Sequence, residues 1–286
     1  MRFGAKVLNY GAGATMATVL EQARRAEEAG FDSVWLGDHL AIPERNESRY
    51  PYSADGKIDW DPEEPWLEPV VVLAALAAVT SRPRLGVAVL VAPLREPIGL
   101  AKQLACVTQL SRGRVVLGVG DGWLREELEL VGGDFERRRE RTDEVLAACR
   151  EVWSGSYVAH RETGDRRFLT QPTPERPLPV FLGGSSEATF GRVALRGYGW
   201  LPLHHGNGAA DAVHEGLDRI AAWQERRGMS VTSPPEVVLN AGRIDEIAPE
   251  LAGLAAAGVG EVLIDGEFGE ADGPRRALER ARDAVS

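Results

Sequence analysis

The sequence predicts an α/β fold, a (β/α)8 TIM barrel with long βα-loop insertions. Three observations point to it. Eight short apolar runs recur along the 286 residues. Each is followed by a longer stretch with apolar residues at i, i+3 and i+4. The short runs are continuously apolar, the pattern of parallel strands covered on both faces. Eight such units in a chain of this length fit a closed barrel, and a single domain over 1–286 is expected.

The elements follow in order. Strand 3–9 (FGAKVLN) leads to a helix over 15–29, with Gly30 just past its end. Strand 32–37 precedes a helix at 67–80, and strand 84–91 (RLGVAVLV) precedes one at 97–110 with Pro97 in its first turn. Strand 114–119 pairs with helix 137–153, strand 179–182 with 186–196, and strand 198–203 with 209–227. Strand 236–240 with helix 246–257, ended by Gly258, and strand 261–264 with helix 273–285 complete the count. A doubly wound open sheet would place a glycine-rich dinucleotide turn after its first strand. NYGAGAT (9–15) fits GxGxxG poorly and has no acidic partner after the second strand. Three connections are long: 40–66 (aromatic and Pro-rich), 120–136 (Gly/Asp-rich) and 154–178. Long loops in a compact domain are usually lids or binding loops.

Net charge is −10 with scattered basic residues, so phosphate backbones and anionic lipid are disfavoured partners. The longest apolar run, VVVLAALAAV (70–79), is too short to span a bilayer. MRFGAKVLNY lacks a leader pattern, and the two cysteines, Cys106 and Cys149, form no CxxC. A reduced cytoplasmic chain is expected, with both cysteines filling the core.

Asp38 and His39 end the second strand. A carboxylate and an imidazole there cost solvation energy unless paired. They suit a general acid/base, His39, with Asp38 fixing its tautomer or shaping the loop. A capping Asp38 and a His39 satisfied by a backbone carbonyl would serve structure alone. LGVGDGWLREE (117–127) ends strand 4 with Gly118, Gly120 and Gly122 before Trp123. Glycines there admit a flat ligand or another backbone, or merely turn the chain. FLGGSSEA (181–188) enters a helix through Gly183, Gly184, Ser185 and Ser186, which makes either a phosphate cradle or a plain serine N-cap. His204 and His205 would point to opposite faces of a strand and so cannot easily share a metal; a surface loop, or one histidine facing substrate, are the two readings.

Six blocks together resemble the luciferase-like superfamily of flavin and deazaflavin enzymes, nearest its branch of coenzyme F420-dependent oxidoreductases. They are AEEAGFDSVWLGDHL (26–40), LAALAAVTSRPRLGVAVLVAPLREPIGLAKQLA (73–105), LSRGRVVLGVGDGWLREE (110–127), RTDEVL (141–146), PVFLGGSS (179–186) and GYGWLP (197–202). The resemblance implies a (β/α)8 barrel with His39 over the reactive edge of a bound ring. It implies a non-proline cis peptide at Ala88–Val89 behind that ring, and Gly118, Gly120 and Trp123 lining the pocket. Gly183, Gly184, Ser185 and Ser186 would hold the phosphate. Asp121 stands where the family has a small or apolar residue; it would repel an anionic tail or meet a ribityl hydroxyl. FLTQPTPERP (168–177) also departs from the family pattern.

The function implied is hydride exchange between F420 and a small organic substrate under the 40–66 loop, with the cofactor carrying the electron chemistry. The alternatives are an FMN-dependent monooxygenase fed by a separate flavin reductase, and a non-catalytic flavin-binding barrel. The family commonly forms homodimers. An aldolase-type barrel would need a lysine at a strand's C-terminal end. Lys57 falls in a loop, Lys102 in a helix, and Lys6 reads as too early on strand 1. A metal-dependent hydrolase would need converging His and carboxylate ligands, and no metal is expected.

Overall fold

The computed structural model describes residues 1–53, 55–58, 60–159, 166–229 and 234–285. The barrel strands are β1 (Arg2–Lys6), β2 (Ser33–Leu36), β3 (Arg84–Val91), β4 (Val115–Gly120), β7 (Val180–Gly183), β8 (Gly199–Leu201), β9 (Val238–Asn240) and β10 (Glu261–Asp265). Between β4 and β7, β5 (Val158–Ala159) and β6 (Arg167–Phe168) form a separate antiparallel pair. The eight barrel strands are parallel in the order β8-β7-β4-β3-β2-β1-β10-β9. Parallel bridges Trp200–Val237 and Leu203–Asn240 join the two outer strands, so the ring closes.

Helices α1 (Met16–Ala29), α2 (Pro69–Val79), α3 (Pro97–Leu110), α5 (Arg138–Val152), α6 (Glu187–Arg196), α7 (Ala209–Arg226) and α10 (Gly273–Asp283) match expected helices. The one expected at 246–257 is divided into α8 (Ile244–Ile247), a 3-10 turn (Ala248–Glu250) and α9 (Leu251–Ala256). Pro249 lies in that turn, where its missing N–H breaks the ladder. The starts are locally encoded. Glu68 and Glu96 cap helices whose next residue is proline, the Glu68 carboxylate accepting Val71 N–H at 2.8 Å. Gly30 ends α1 at φ 94°, a backbone region costly for other residues. No helix among the described residues is long and apolar enough to cross a membrane.

Two loop readings change. The 120–136 connection contains a short helix, α4 (Arg125–Leu130). The 154–178 connection runs from a helix into β7, so it meets the N-terminal end of the barrel, away from the rim where βα loops gather. Part of it, 160–165, lies outside the described residues. The cysteines also divide: Cys149 is buried, whereas Cys106 is exposed on α3 and is not core filler.

Strand alternation sorts the side chains. Phe3, Ala5, Val34, Leu36, Leu85 and Val87 face the helices in the main core. Inside the ring, Trp35, Val116, Phe181, Leu201, Val238 and Leu263 form a second cluster, which Ala88 and Val89 meet from above. Trp35 spans this interior. A methyl group added at Gly86 would lie 2.4 Å from its ring, and one at Gly4 would lie 2.9 Å away. Below it, the fully buried Glu261 accepts from Ser33, Arg84 and Arg2, and Trp35 Nε1 donates to Ser33 Oγ at 2.6 Å. The lower barrel is therefore a filled polar and aromatic plug.

Candidate active site at the barrel mouth

Above the plug, the C-terminal ends of the strands carry most of the residues singled out in the sequence. After β2 the chain is gripped by Asn9, which is fully buried. Its Oδ1 accepts Gly37 N–H at 2.9 Å, while its Nδ2 donates to Gly37 O at 3.0 Å and Leu67 O at 2.8 Å. One amide thus ties the exits of β1 and β2 to the far end of the 40–66 connection. This fixes the backbone that presents Asp38 and His39.

The two neighbours separate in function. His39 Nδ1 lies 2.9 Å from Glu127 Oε2, with both side chains buried. Glu127 Oε1 accepts the amide of Ala41 at 3.1 Å and also that of Leu40. A carboxylate partner at Nδ1 favours the tautomer with hydrogen on that nitrogen and leaves Nε2 as the other, variable position. Asp38 does not serve as that partner. Its carboxylate accepts Val91 N–H at 2.8 Å and Arg95 Nη2 at 2.7 Å, tying β2 to the end of β3. Burial raises the Asp38 carboxyl to about 6, against the lowering effects of Arg95 and the Val91 amide. Of the two sequence readings of Asp38, shaping the backbone matches its contacts and tautomer control does not.

Aromatic rings roof His39. Trp66 meets it edge-on at 4.7 Å between centroids, with Trp60 at 5.8 Å and Trp123 at 5.9 Å. Tyr50 bridges Trp60 and Trp123 at 5.3 and 5.1 Å, and Tyr10 stacks on Trp66 at 4.2 Å. Tyr50, Trp60 and Trp66 of the 40–66 connection therefore fold over the mouth. The Nε1 atoms of Trp60 and Trp66 are buried and have no acceptor. Buried donors without partners are costly, and an acceptor group entering the mouth would relieve that cost.

On the neighbouring strand, β3, Ala88–Val89 is a cis peptide, and the β3–β4 register shifts between Val87 and Leu90. Val89 points inward between two glycines: a methyl on Gly120 would lie 2.4 Å from it, and one on Gly183 would lie 2.8 Å away. These glycines make room for Val89 itself rather than leaving an open slot. Gly118 lies close to the β3 backbone, its added methyl falling 2.4 Å from Val87 O. Asp121 is held by Arg192, whose Nη1 lies 2.9 Å from both of its carboxylate oxygens, and Arg192 Nε donates to Asp143 at 3.0 Å. Its charge is compensated inside the protein.

Gly184 adopts φ 97°, and its carbonyl accepts Trp200 Nε1 at 2.8 Å. Ser186 caps α6, its hydroxyl accepting Thr189 N–H at 3.2 Å. Ser185 is exposed beside it. The first amides of α6, Glu187 and Ala188, have no intrahelical acceptor by helix geometry. Both readings of this segment coexist: Ser186 is an N-cap, and the helix start still offers free donors.

Lys6 requires a correction. It is the last residue of β1, at the rim, because β1 is shorter than the 3–9 run suggested. Its Nζ donates to Ala241 O at 3.1 Å and lies 3.2 Å from Asp265 Oδ1. His204 Nε2 lies 3.0 Å from Asn207 O in its own loop, while His205 packs beside Gly242. Among the described residues no group of three or more His, Cys, Asp or Glu side chains converges as a metal site.

The profile of the luciferase-like monooxygenase family matches residues 1–247. The chain belongs to this family. Its luciferase-like fold is shared with an F420-dependent secondary alcohol dehydrogenase solved with an F420–acetone adduct, at a TM-score of 0.75. That match has 16% identity and covers 100% of this chain and 99% of the other. The FMN-bound oxygenating component of 3,6-diketocamphane monooxygenase from Pseudomonas putida gives a TM-score of 0.60 at 15% identity, over 84% and 67% of the two chains. An uncharacterized protein of Mycobacterium tuberculosis is 32% identical over 288 residues, covering 98% of this chain and 97% of its own. This luciferase-like chain is accordingly an oxidoreductase of a family with F420-dependent and FMN-dependent members.

Glu127, Arg192 and Asn9 were not singled out from sequence. Glu127 sits next to Glu126, which instead binds Ser48 Oγ at 2.7 Å on the outside of α4. Nothing in "REE" distinguishes the buried carboxylate from the solvated one until the helix is placed.

Proposed function

We propose that this protein transfers hydride between coenzyme F420 and a small alcohol or carbonyl compound at the barrel mouth. The supporting observation is the His39–Glu127 pair, roofed by Trp60, Trp66 and Trp123 at a strand end. A deazaflavin fits the residues present: Val89 offers an apolar seat, two buried indole N–H groups lack acceptors, and the α6 start offers amides to a phosphate. Ala88, Val89 and Trp123 would hold the ring, Gly118, Gly120 and Gly183 acting only by giving β3 and Val89 their room, and Gly184, Ser185 and Ser186 would hold the phosphate. When bound, the cofactor supplies the carbon that accepts or donates the hydride.

The chain's own residues handle the proton. Oxidising a carbinol to a carbonyl releases one proton from oxygen for each hydride leaving carbon. His39 Nε2 takes that proton, and Glu127 stabilises the imidazolium through Nδ1. In the reverse direction the same nitrogen donates. The aromatic roof excludes water, which strengthens these interactions and protects the hydride. Asp38 and Arg95 hold the backbone beneath.

A second reading is an FMN-dependent monooxygenase supplied by a separate reductase. One observation favours it: Arg192 is occupied by Asp121 and Asp143, so it is not free to attract a long anionic tail. Titration with F420 and with FMN, followed by fluorescence quenching, distinguishes them. Tight F420 binding with F420-linked turnover of an alcohol supports the first reading. FMN binding with no response to F420 overturns it in favour of the second.

A further inference from the structure

The half of the mouth away from Val89 carries a polar row that neither the ring nor the phosphate cradle uses. In β1, β9 and β10 the inward positions are Gly4, Val238 and Leu263, so alternation turns Lys6, Asn240 and Asp265 inward as well. Register places Lys6 beside Asp265, and Asp265 N–H donates to Gly242 O at 3.1 Å. Gly242 in turn leaves space for His205, since a methyl there would lie 2.7 Å from His205 Nδ1. Lys6, Asp265 and His205 therefore share one layer at the rim, with Asn240 one step below it. Asn240 Oδ1 is buried and has no hydrogen-bond donor.

This row carries no surplus positive charge. Lys6 is matched by Asp265 at 3.2 Å. Desolvation, with Lys6 next in weight, lowers the His205 pKa below the ordinary histidine value, and Asp265 and Glu246 oppose that shift. A neutral His205 leaves one cation against the carboxylates of Asp265 and Glu246. A phosphate or carboxylate entering here would meet no surplus positive charge. A hydroxyl group would fare better, because it can donate to Asn240 Oδ1 or Asp265 and accept from the third N–H of Lys6.

We propose that Lys6, Asp265, Asn240 and His205 form a substrate subsite that binds an oxygen function beside the reacting carbon. The favoured substrate is then a neutral diol or hydroxy-carbonyl compound rather than a phosphorylated or singly hydroxylated one. This rests on the mouth being the reaction site, but its recognition chemistry belongs to the protein alone.

Saturation-transfer NMR with the full chain, with and without saturating cofactor, would test it using cyclohexanol, 1,2-cyclohexanediol and the diol's monophosphate ester. The diol should bind at least ~10-fold more tightly than cyclohexanol. Lys6→Met should bring diol affinity down to that of cyclohexanol, with the melting temperature measured alongside to establish that the variant is folded, since it also loses the contacts to Ala241 O and Asp265. Asp265→Asn should instead raise affinity for the phosphate ester by about 10-fold, because it leaves Lys6 uncompensated. Equal binding of cyclohexanol and the diol, or preference of the unmodified protein for the ester, overturns the proposal. A diol preference that persists in folded Lys6→Met also overturns it. Failure of both F420 and FMN to bind would refute the proposed hydride transfer while leaving the diol comparison decisive for the subsite.

Discussion

His39 Nδ1 is held 2.9 Å from Glu127 Oε2, and the other oxygen of Glu127 receives the amides of the two residues that follow His39. One carboxylate therefore fixes both the imidazole and the backbone that carries it. Two substitutions separate these roles. His39→Ala should leave cofactor affinity within a few-fold and lower turnover by roughly 100-fold. Glu127→Gln keeps a hydrogen-bonding group at Nδ1 but no charge, so it should slow turnover less, by about 10-fold, and shift the pH–rate profile. Cofactor binding and steady-state rates measured side by side check both; normal turnover in folded His39→Ala would make His39 structural.

The buried Asp38 carboxyl gives a pH signature. Its folded pKa of about 6 lies above the ordinary 3.8. Its stabilising contribution is therefore complete below about pH 4 and is lost as pH rises through about 6. Asp38→Asn removes this titration. The stability of the variant relative to the parent should rise across that window by up to about 3 kcal/mol, then level off. Denaturant midpoints at three pH values suffice, and a difference independent of pH would refute it.

The interior predicts a steric coupling. Gly86→Ala would push a methyl into the Trp35 ring, costing about 2 kcal/mol or more of stability. Trp35→Leu would open a void of its own, yet the double variant should be less destabilised than the sum of the two. Chemical denaturation of all four proteins measures that coupling. Strict additivity would mean that the cost of Gly86→Ala does not arise from Trp35.

For the phosphate cradle, a carboxylate at its entrance should repel the cofactor. Ser185→Asp, at an exposed position free of backbone constraint, should weaken cofactor binding at least ~10-fold, equivalent to about 1.4 kcal/mol. Gly184→Asp should do so more strongly, since its positive φ adds strain. Titration by fluorescence quenching reads both, and unchanged affinity in Ser185→Asp would place the phosphate elsewhere.

Thiol labelling offers a check on packing. Burial pushes the Cys149 thiol up to about 12, whereas Cys106 is exposed. A thiol reagent at mildly alkaline pH should modify one cysteine in the native protein and both after denaturation.

The fold was legible because continuous apolar strands and 3.6-residue helical periodicity are properties of short windows. The rim positions of His39, Asp38 and Gly183–Ser186 followed from strand ends that these windows place well. What was not legible depends on contacts across the barrel. Glu127 reaches His39 over 88 positions of sequence, and Arg192 reaches Asp121 over 71. Lys6 was misjudged for a smaller reason. The apolar run continues to Val7, which still donates to Trp35 O, so composition concealed where the ladder with β10 stops.

Trp35, lying across the ring between Gly4 and Gly86, gives the mouth a closed bottom. A site with one opening is a cul-de-sac, and its occupants must queue. Whichever molecule settles deeper arrives first and departs last, and the shallower one blocks its exit. For two molecules sharing this mouth, the expected outcome is an ordered sequence, the deeper one first in and last out, which product-inhibition patterns would reveal.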